Sequence, residues 1–213
     1  MTLQISEIFL SLQGETTAAG FPSLFIRLAG CNLRCSYCDT SSAWTGGAPM
    51  SIAQIMEKAR PYKWVHHVTI TGGEPLMQKE TPLLAEALIE EGFRVRVETN
   101  GSFDIGILPA ECEKMVDVKS PSSGEDASFC MANIGRLTCK DEIKFVASDE
   151  TDFQHAVSFY NNNLKQSPAV IDISPAEGSM TGARLAQLIL ESRIPMRLNL
   201  QLHKILWPKG EPK

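Results

Sequence analysis

The chain has 213 residues, of which 43% are hydrophobic and 21% charged, with a formal net charge of −5. Folding a chain of this size into one large α/β domain buries roughly seven-tenths of its unfolded surface, so a core forms without disulfides. No Lys/Arg block stands out, which argues against an extended grip on a nucleic-acid backbone, and no segment reaches the length of a membrane span. Met1–Leu10 lacks the basic-then-apolar pattern of a secretory signal, so a cytoplasmic protein is expected. In that compartment the six cysteines stay reduced, and a tight cysteine cluster reads as metal binding or catalysis.

Apolar runs rich in β-branched residues recur along the chain. They predict strands over Ile5–Leu10, Ser23–Ala29, His67–Thr71, Arg94–Thr99, Met115–Lys119, Glu142–Ala147, Ala169–Ser174 and Met196–Leu202. Ser51 and Gln54 form a capping box ahead of Ile52, Ile55, Met56 and Ala59 on one helical face. Leu83, Leu84, Ala87 and Leu88 make a second helical stripe, stopped by Gly92. Thr151 caps a third helix carrying Phe153, Ala156, Val157 and Tyr160, and Leu185, Leu188 and Ile189 mark a fourth. Strands alternating with helices imply a mainly parallel sheet. Helices are fewer than strands and the chain is shorter than a full eight-unit barrel needs, so residues 1–213 are read as one incomplete, distorted (β/α) barrel domain. Pro121–Leu137 has little periodicity and reads as a long loop, a candidate lid.

Cys31, Cys35 and Cys38 have the spacing C-x3-C-x2-C, directly after the second strand. One loop with that spacing wraps three thiolates around a single centre and suits an iron–sulfur cubane with one iron left open. The alternative is a zinc site completed by Cys112, Cys130, Cys139 or a histidine. Those three cysteines share no spacing and otherwise read as small buried hydrophobes, with Trp44, Trp64 and Trp207 as packing residues. At the next strand end stands Thr71-Gly72-Gly73-Glu74-Pro75. Its glycines let the backbone approach a ligand, and Glu74 can accept hydrogen bonds from an ammonium group.

The cysteine loop and the Gly-Gly-Glu-Pro turn together resemble the radical S-adenosylmethionine (SAM) superfamily. That resemblance implies a [4Fe-4S] cluster on the three cysteines, SAM on the open iron, and SAM contacts from Tyr37, Gly73 and Glu74. Leu12-Gln13-Gly14-Glu15, Arg27, Asp39-Thr40 and Leu202-His203-Lys204 narrow it: over nearly its whole length the chain resembles the 7-carboxy-7-deazaguanine synthase family. The resemblance implies conversion of 6-carboxy-5,6,7,8-tetrahydropterin to 7-carboxy-7-deazaguanine with loss of ammonia, by a Mg2+-dependent radical mechanism started by one electron. It implies substrate contacts at Leu12, Gln13, Gly14, Arg27, Thr71 and His203, and Mg2+ at Thr40. Further SAM contacts are implied at Lys119-Ser120-Pro121, Glu98 and Ser174. An electron donor such as a flavodoxin and a homodimer belong to the same expectation. The rival enzyme reading is a glycyl-radical-activating enzyme, which shares the cysteine spacing; the rival outside catalysis is a zinc-binding interaction module.

Overall fold

A computed structural model describes residues 1–207, so residues 208–213 of the expected domain lie outside the described residues. The strands are β1 (Thr2–Leu12), β2 (Pro22–Leu28), β3 (Ala48–Ser51), β4 (His67–Gly72), β5 (Arg94–Thr99), β6 (Glu113–Asp117), β7 (Glu142–Ala147), β8 (Val170–Pro175) and β9 (Arg197–Leu198). The helices are α1 (Ile52–Ala59), α2 (Thr81–Glu90), α3 (Glu150–Phe159), α4 (Gly182–Ser192) and α5 (Leu202–Leu206). Among the described residues the strands form one sheet in the order β3-β1-β2-β4-β5-β6-β7-β8-β9, which does not close on itself. Every neighbouring pair from β2 to β9 is parallel, whereas β1 runs antiparallel to both β2 and β3. This is the incomplete barrel expected from the shortage of helices.

Alternate residues of a strand face opposite sides of a sheet, and here the two sides differ sharply. Leu24, Ile26, Leu28, Val68, Ile70, Val95, Val97, Ile143, Phe145, Ile171 and Ile173 are fully or nearly fully buried and join one core. Leu84 and Leu88 of α2, Phe153 and Ala156 of α3, and Leu185 and Leu188 of α4 belong to the same core. Each of these side chains larger than alanine contributes roughly 1.5–3 kcal/mol by leaving water. The intervening residues, among them Arg27, Thr71, Glu98, Asp117 and Lys144, line a cavity instead. The inner side of the sheet is therefore polar, and it is the side on which chemistry can take place.

Several local elements match their sequence signals. Both halves of the capping box form: Ser51 Oγ accepts from Gln54 N at 3.2 Å, and Ser51 N donates to Gln54 Oε1 at 2.9 Å. Others differ. The third helix is capped by Asp149, which accepts from Asp152 N at 2.9 Å, not by Thr151. β3 escapes the sequence signal because four residues containing a proline are too short to show a period. The expected strand Met196–Leu202 pairs only at Arg197 and Leu198. Beyond them the chain turns inward, Leu202 N donates to Gly14 O at 2.8 Å, and α5 begins. Cys112 is buried as expected, its thiol pushed up to about 12 by burial, but Cys130 is half-buried and Cys139 exposed. Trp64 is exposed and packs no core.

Pro121–Leu137 is anchored to the body of the fold at both ends. Asn133 is buried, donates to Gly101 O and Phe103 O, and accepts from Ile105 N. Asp152 of α3 is buried too, and it accepts from Ser122 N at 3.0 Å and from Ser148 N at 2.8 Å. Asp152→Asn turns an amide nitrogen toward one of those donors. It lowers the unfolding free energy by about 1–3 kcal/mol in a urea titration, and an unchanged midpoint would show that this anchor holds nothing.

Candidate active site

One cavity of about 880 Å³ opens at the C-terminal ends of the parallel strands. Cys31, Cys35 and Cys38 all line it, on the loop that leaves β2. The loop is shaped by the chain itself. Arg34 folds back so that Nη1 donates to Cys31 O (2.8 Å) and Leu33 O (2.7 Å), and its guanidinium lies 5.1 Å above the Trp44 ring. Arg34 N donates to Glu125 Oε1 at 2.7 Å, and Ser36 N to Ser123 O at 3.1 Å, which ties the loop to the Pro121–Leu137 segment. Burial pushes the Cys31 and Cys35 thiols up, so cluster binding must displace their protons.

The Gly-Gly-Glu-Pro turn crosses the base of this loop. Gly73 N donates to Leu28 O and Glu74 N to Gly30 O, at 3.1 and 2.7 Å. A Cβ on Gly73 would stand 2.1 Å from Gly30 O, so only glycine allows the two backbones to meet. Glu74 does not reach the cavity: it is fully buried and accepts from Leu76 N (2.9 Å), Thr99 Oγ1 (2.7 Å) and Asn100 N (2.6 Å). Burial pushes its carboxyl up, although these three bonds oppose the shift. Its role is to bind strand ends together, and the turn's cavity-facing groups are the backbone of Gly72 and Gly73.

Of the other expected SAM contacts, Tyr37, Lys119 and Glu98 line the cavity, while Ser120, Pro121 and Ser174 do not. Ser120 Oγ is spent on Val146 O at 2.7 Å, and Ser174 Oγ accepts from Asn199 Nδ2 at 3.2 Å. Lys119 Nζ is 2.8 Å from Asp117 Oδ2. Burial lowers the Lys119 pKa, and the Asp117 charge more than reverses that. Tyr37 Oη and Asp117 Oδ1 are both buried without a hydrogen-bond partner. Buried orphans of this kind are rare, and two in one cavity wall fit a polar ligand such as SAM. Among the described residues no three His, Cys, Asp or Glu side chains converge on a point for one metal ion. Three cysteine thiols on one loop in the cavity wall suit a cubane with one iron left open.

All six expected substrate contacts, Leu12, Gln13, Gly14, Arg27, Thr71 and His203, line the same cavity. Arg27 Nε is held by Glu7 Oε1 at 2.6 Å and the guanidinium lies 5.5 Å above Phe9, which orients its outer edge. A Cβ on Gly14 would stand 2.1 Å from His203 Nδ1, so the glycine makes room for the imidazole. Gln13 is a correction in part. Its Nε2 donates to Thr69 Oγ1 (3.2 Å) and Glu98 Oε1 (3.1 Å), and its Oε1 accepts from Glu15 N (3.2 Å), so the amide is engaged in the wall. Thr40 lines the cavity and its hydroxyl donates to Asp39 Oδ1 at 2.9 Å, leaving oxygen lone pairs for a cation.

Among the other charged residues of the cavity wall, Lys144 gave no sequence motif of its own. Lys144 pairs with Glu15, which also accepts from Gln201 Nε2. Burial raises the Glu15 carboxyl, but the Lys144 charge overrides it and holds the group low. Glu98 is pushed up by burial and by the Glu15 charge, while Thr71 Oγ1 donates to it at 2.9 Å. Lys204 of α5 reaches Asp39 Oδ2 at 3.2 Å. Partial burial pushes Asp39 up, and the Lys204 and Lys144 charges outweigh this to hold it at about 2. The missed signal was a charged residue at every second position of an apolar strand, as in Glu142 and Lys144 of β7.

Residues 25–121 match the model of the radical SAM superfamily. A 7-carboxy-7-deazaguanine synthase of Koribacter versatilis is 39% identical, across 96% of this chain and 97% of the relative. The chain belongs to the 7-carboxy-7-deazaguanine synthase family. A second member, from Methanospirillum hungatei, is 43% identical across 96% of this chain and 85% of its own length. The crystal structure of QueE from Escherichia coli superposes with a TM-score of 0.80 over 95% of both chains at 24% identity, and so shares the fold. Membership makes the chain a radical SAM lyase and implies SAM and a [4Fe-4S] cluster. The glycyl-radical-activating and zinc-module alternatives give way to it.

Cys35→Ala removes one of the three cysteines that line the cavity, and none of Cys112, Cys130 and Cys139 lines it. The variant loses the visible absorbance of the cluster and all SAM cleavage; full iron, sulfide and activity would displace the cluster from this loop.

Proposed function

We propose that this chain converts 6-carboxy-5,6,7,8-tetrahydropterin to 7-carboxy-7-deazaguanine with release of ammonia, and that Mg2+ takes part. The observation that carries the reading is that one cavity is lined by the cysteine loop and by Leu12, Gly14, Arg27, Thr40, Thr71 and His203 together. When bound, the cluster and SAM supply a one-electron route to a carbon radical. The work of the chain is to hold the substrate carbon beside that radical and to keep other hydrogen donors away.

Arg27 offers a planar guanidinium edge to the substrate carboxylate, because Glu7 takes only its Nε. Thr40 would offer Mg2+ one neutral oxygen, with water and the substrate carboxylate as the other ligands such a cation would need. Backbone groups of Leu12 and Gly14 face the pterin, with Glu98 and the Glu15–Lys144 pair behind them. Glu98, with its raised pKa, can donate to a ring nitrogen when protonated. Gly73 and its turn, Tyr37 and Lys119 hold SAM. A one-electron donor of flavodoxin type, a homodimer and a place in 7-deazapurine synthesis belong to the same proposal.

Anaerobic incubation with SAM, dithionite, Mg2+ and the tetrahydropterin tests it: a deazapurine chromophore forms, and its absence with an intact cluster would sink the reading. Arg27→Lys keeps the charge but loses the paired hydrogen bonds, so the substrate KM rises roughly ten- to hundredfold while iron content stays unchanged. Equal KM values would remove Arg27 from the carboxylate. Thr40→Val, nearly isosteric, keeps the cluster spectrum and SAM binding but weakens turnover and its response to added Mg2+. Thr40→Ser retains much of both. Wild-type Mg2+ dependence in Thr40→Val would move the cation elsewhere.

A further inference from the structure

Below the cavity the inner side of the sheet carries a second tier of charge. Arg96 of β5, Glu113 of β6, Glu142 of β7, Asp172 of β8 and Arg197 of β9 form it, and none of them lines the cavity. Arg96 Nη2 lies 2.6 Å from Glu113 Oε2 and 3.2 Å from Glu142 Oε1. Arg197 Nη2 lies 3.2 Å from Glu142 Oε2, and its Nε lies 2.6 Å from Asp172 Oδ1. Glu142 is thus the shared acceptor between two arginines, and it is 2% exposed.

This tier also grips a turn. Glu142 accepts from Thr17 N at 3.1 and 3.0 Å and from Thr17 Oγ1 at 2.7 Å. Arg96 donates to Thr16 Oγ1, and Arg197 Nη1 to Thr16 O at 3.0 Å. Thr16 is fully buried and has φ +69°, a conformation that β-branched residues adopt only when their surroundings impose it. The turn carries bonds of its own, from Ala18 N to Thr16 Oγ1 at 3.1 Å, Ala19 N to Thr16 O at 3.3 Å and Gly20 N to Gln13 O at 2.8 Å, and the charged tier adds to them. The turn directly follows Gln13-Gly14-Glu15, and Glu15 is itself paired to Lys144, two residues along β7 from Glu142 and on the same side of the sheet.

We propose that Glu142 is a positioning residue: through Thr17 and Thr16 it sets the height at which the Gln13–Glu15 segment meets the substrate. β7 therefore holds this segment at two levels, Glu142 under Thr17 and Lys144 under Glu15. The inference rests on the substrate reading above, since it assumes that the segment faces the pterin.

Two variants in the cluster-loaded full chain test it. Glu142→Gln removes the charge at nearly constant shape. Thr17→Val removes one hydroxyl and leaves the charged tier intact, which covers the case in which Glu142→Gln does not fold. In the folded variants, amide hydrogen exchange over Gln13–Ala19 speeds up roughly tenfold or more, while the Cys31–Thr40 peptide exchanges as in wild type. The pterin KM rises about tenfold, with iron content and pterin-free SAM cleavage unchanged. Unchanged exchange over Gln13–Ala19, or an unchanged KM despite faster exchange, overturns the inference. So does a uniform speed-up that includes the cysteine loop, because that is the mark of general destabilisation. If the wild-type enzyme itself shows no saturation by the pterin, the substrate reading has failed, and the exchange measurement still decides whether Glu142 orders the turn.

Discussion

The buried Glu74 carboxylate joins the ends of neighbouring parallel strands, where Asn32 also bonds to Asn100 and Ser102. It takes the Thr99 hydroxyl and the Asn100 amide at the end of β5 while sitting in the turn that ends β4, and its own amide is tied to Gly30 past the end of β2. Those strand ends carry the cysteine loop, the glycine turn and the Asn100–Ser102 turn. An acceptor with two oxygens and no donor suits a place where three donors converge. The glycine at Gly73 is the steric half of the same constraint, since the ion can reach its partners only if the two backbones touch.

The polar inner side of the sheet follows from using its C-terminal ends for chemistry. A closed barrel of this length would fill its interior with branched apolar side chains. Here the interior instead holds a charged lower tier and a cavity above it, and stability comes from the outer side, where the helices pack. Buried ion pairs contribute little net stability against an apolar alternative, but removing one partner is costly. The lower tier thus adds specificity of shape more than strength. Burial and the adjacent Glu142 push the Asp172 carboxyl up, against the opposing charge of Arg197.

Much of this was legible in the residues. Periodicity located eight of the strands and the capping box marked the start of α1, because both signals are local. The cysteine spacing and the glycine turn pointed to the cavity because ligands on one loop or one turn are also local. What stayed hidden was set by distant partners. Glu74 reads as a ligand-facing carboxylate until Thr99 and Asn100 are seen to occupy it, and Gln13 reads as a substrate contact until Glu98 and Thr69 are seen to take its donors. Glu15 and Lys144 lie far apart in sequence, and no spacing rule connects them. β9 is short because the chain leaves the sheet after Asn199 and Leu202 bonds to Gly14, a choice made by tertiary contacts.

The contact between α5 and Gly14 also bears on the order in which the protein is made. Gln201, His203, Lys204 and Trp207 wall the cavity, yet they are translated after every strand of the sheet. A nascent chain that has already built β1 through β8 still lacks this wall, and its cysteine loop stands open on the side that α5 later covers. Iron and sulfide delivered during synthesis would meet a cavity that still lacks the α5 wall, whereas delivery after release would meet the completed one. For this fold, the timing of cluster insertion relative to the emergence of the last helix becomes a physical variable of maturation.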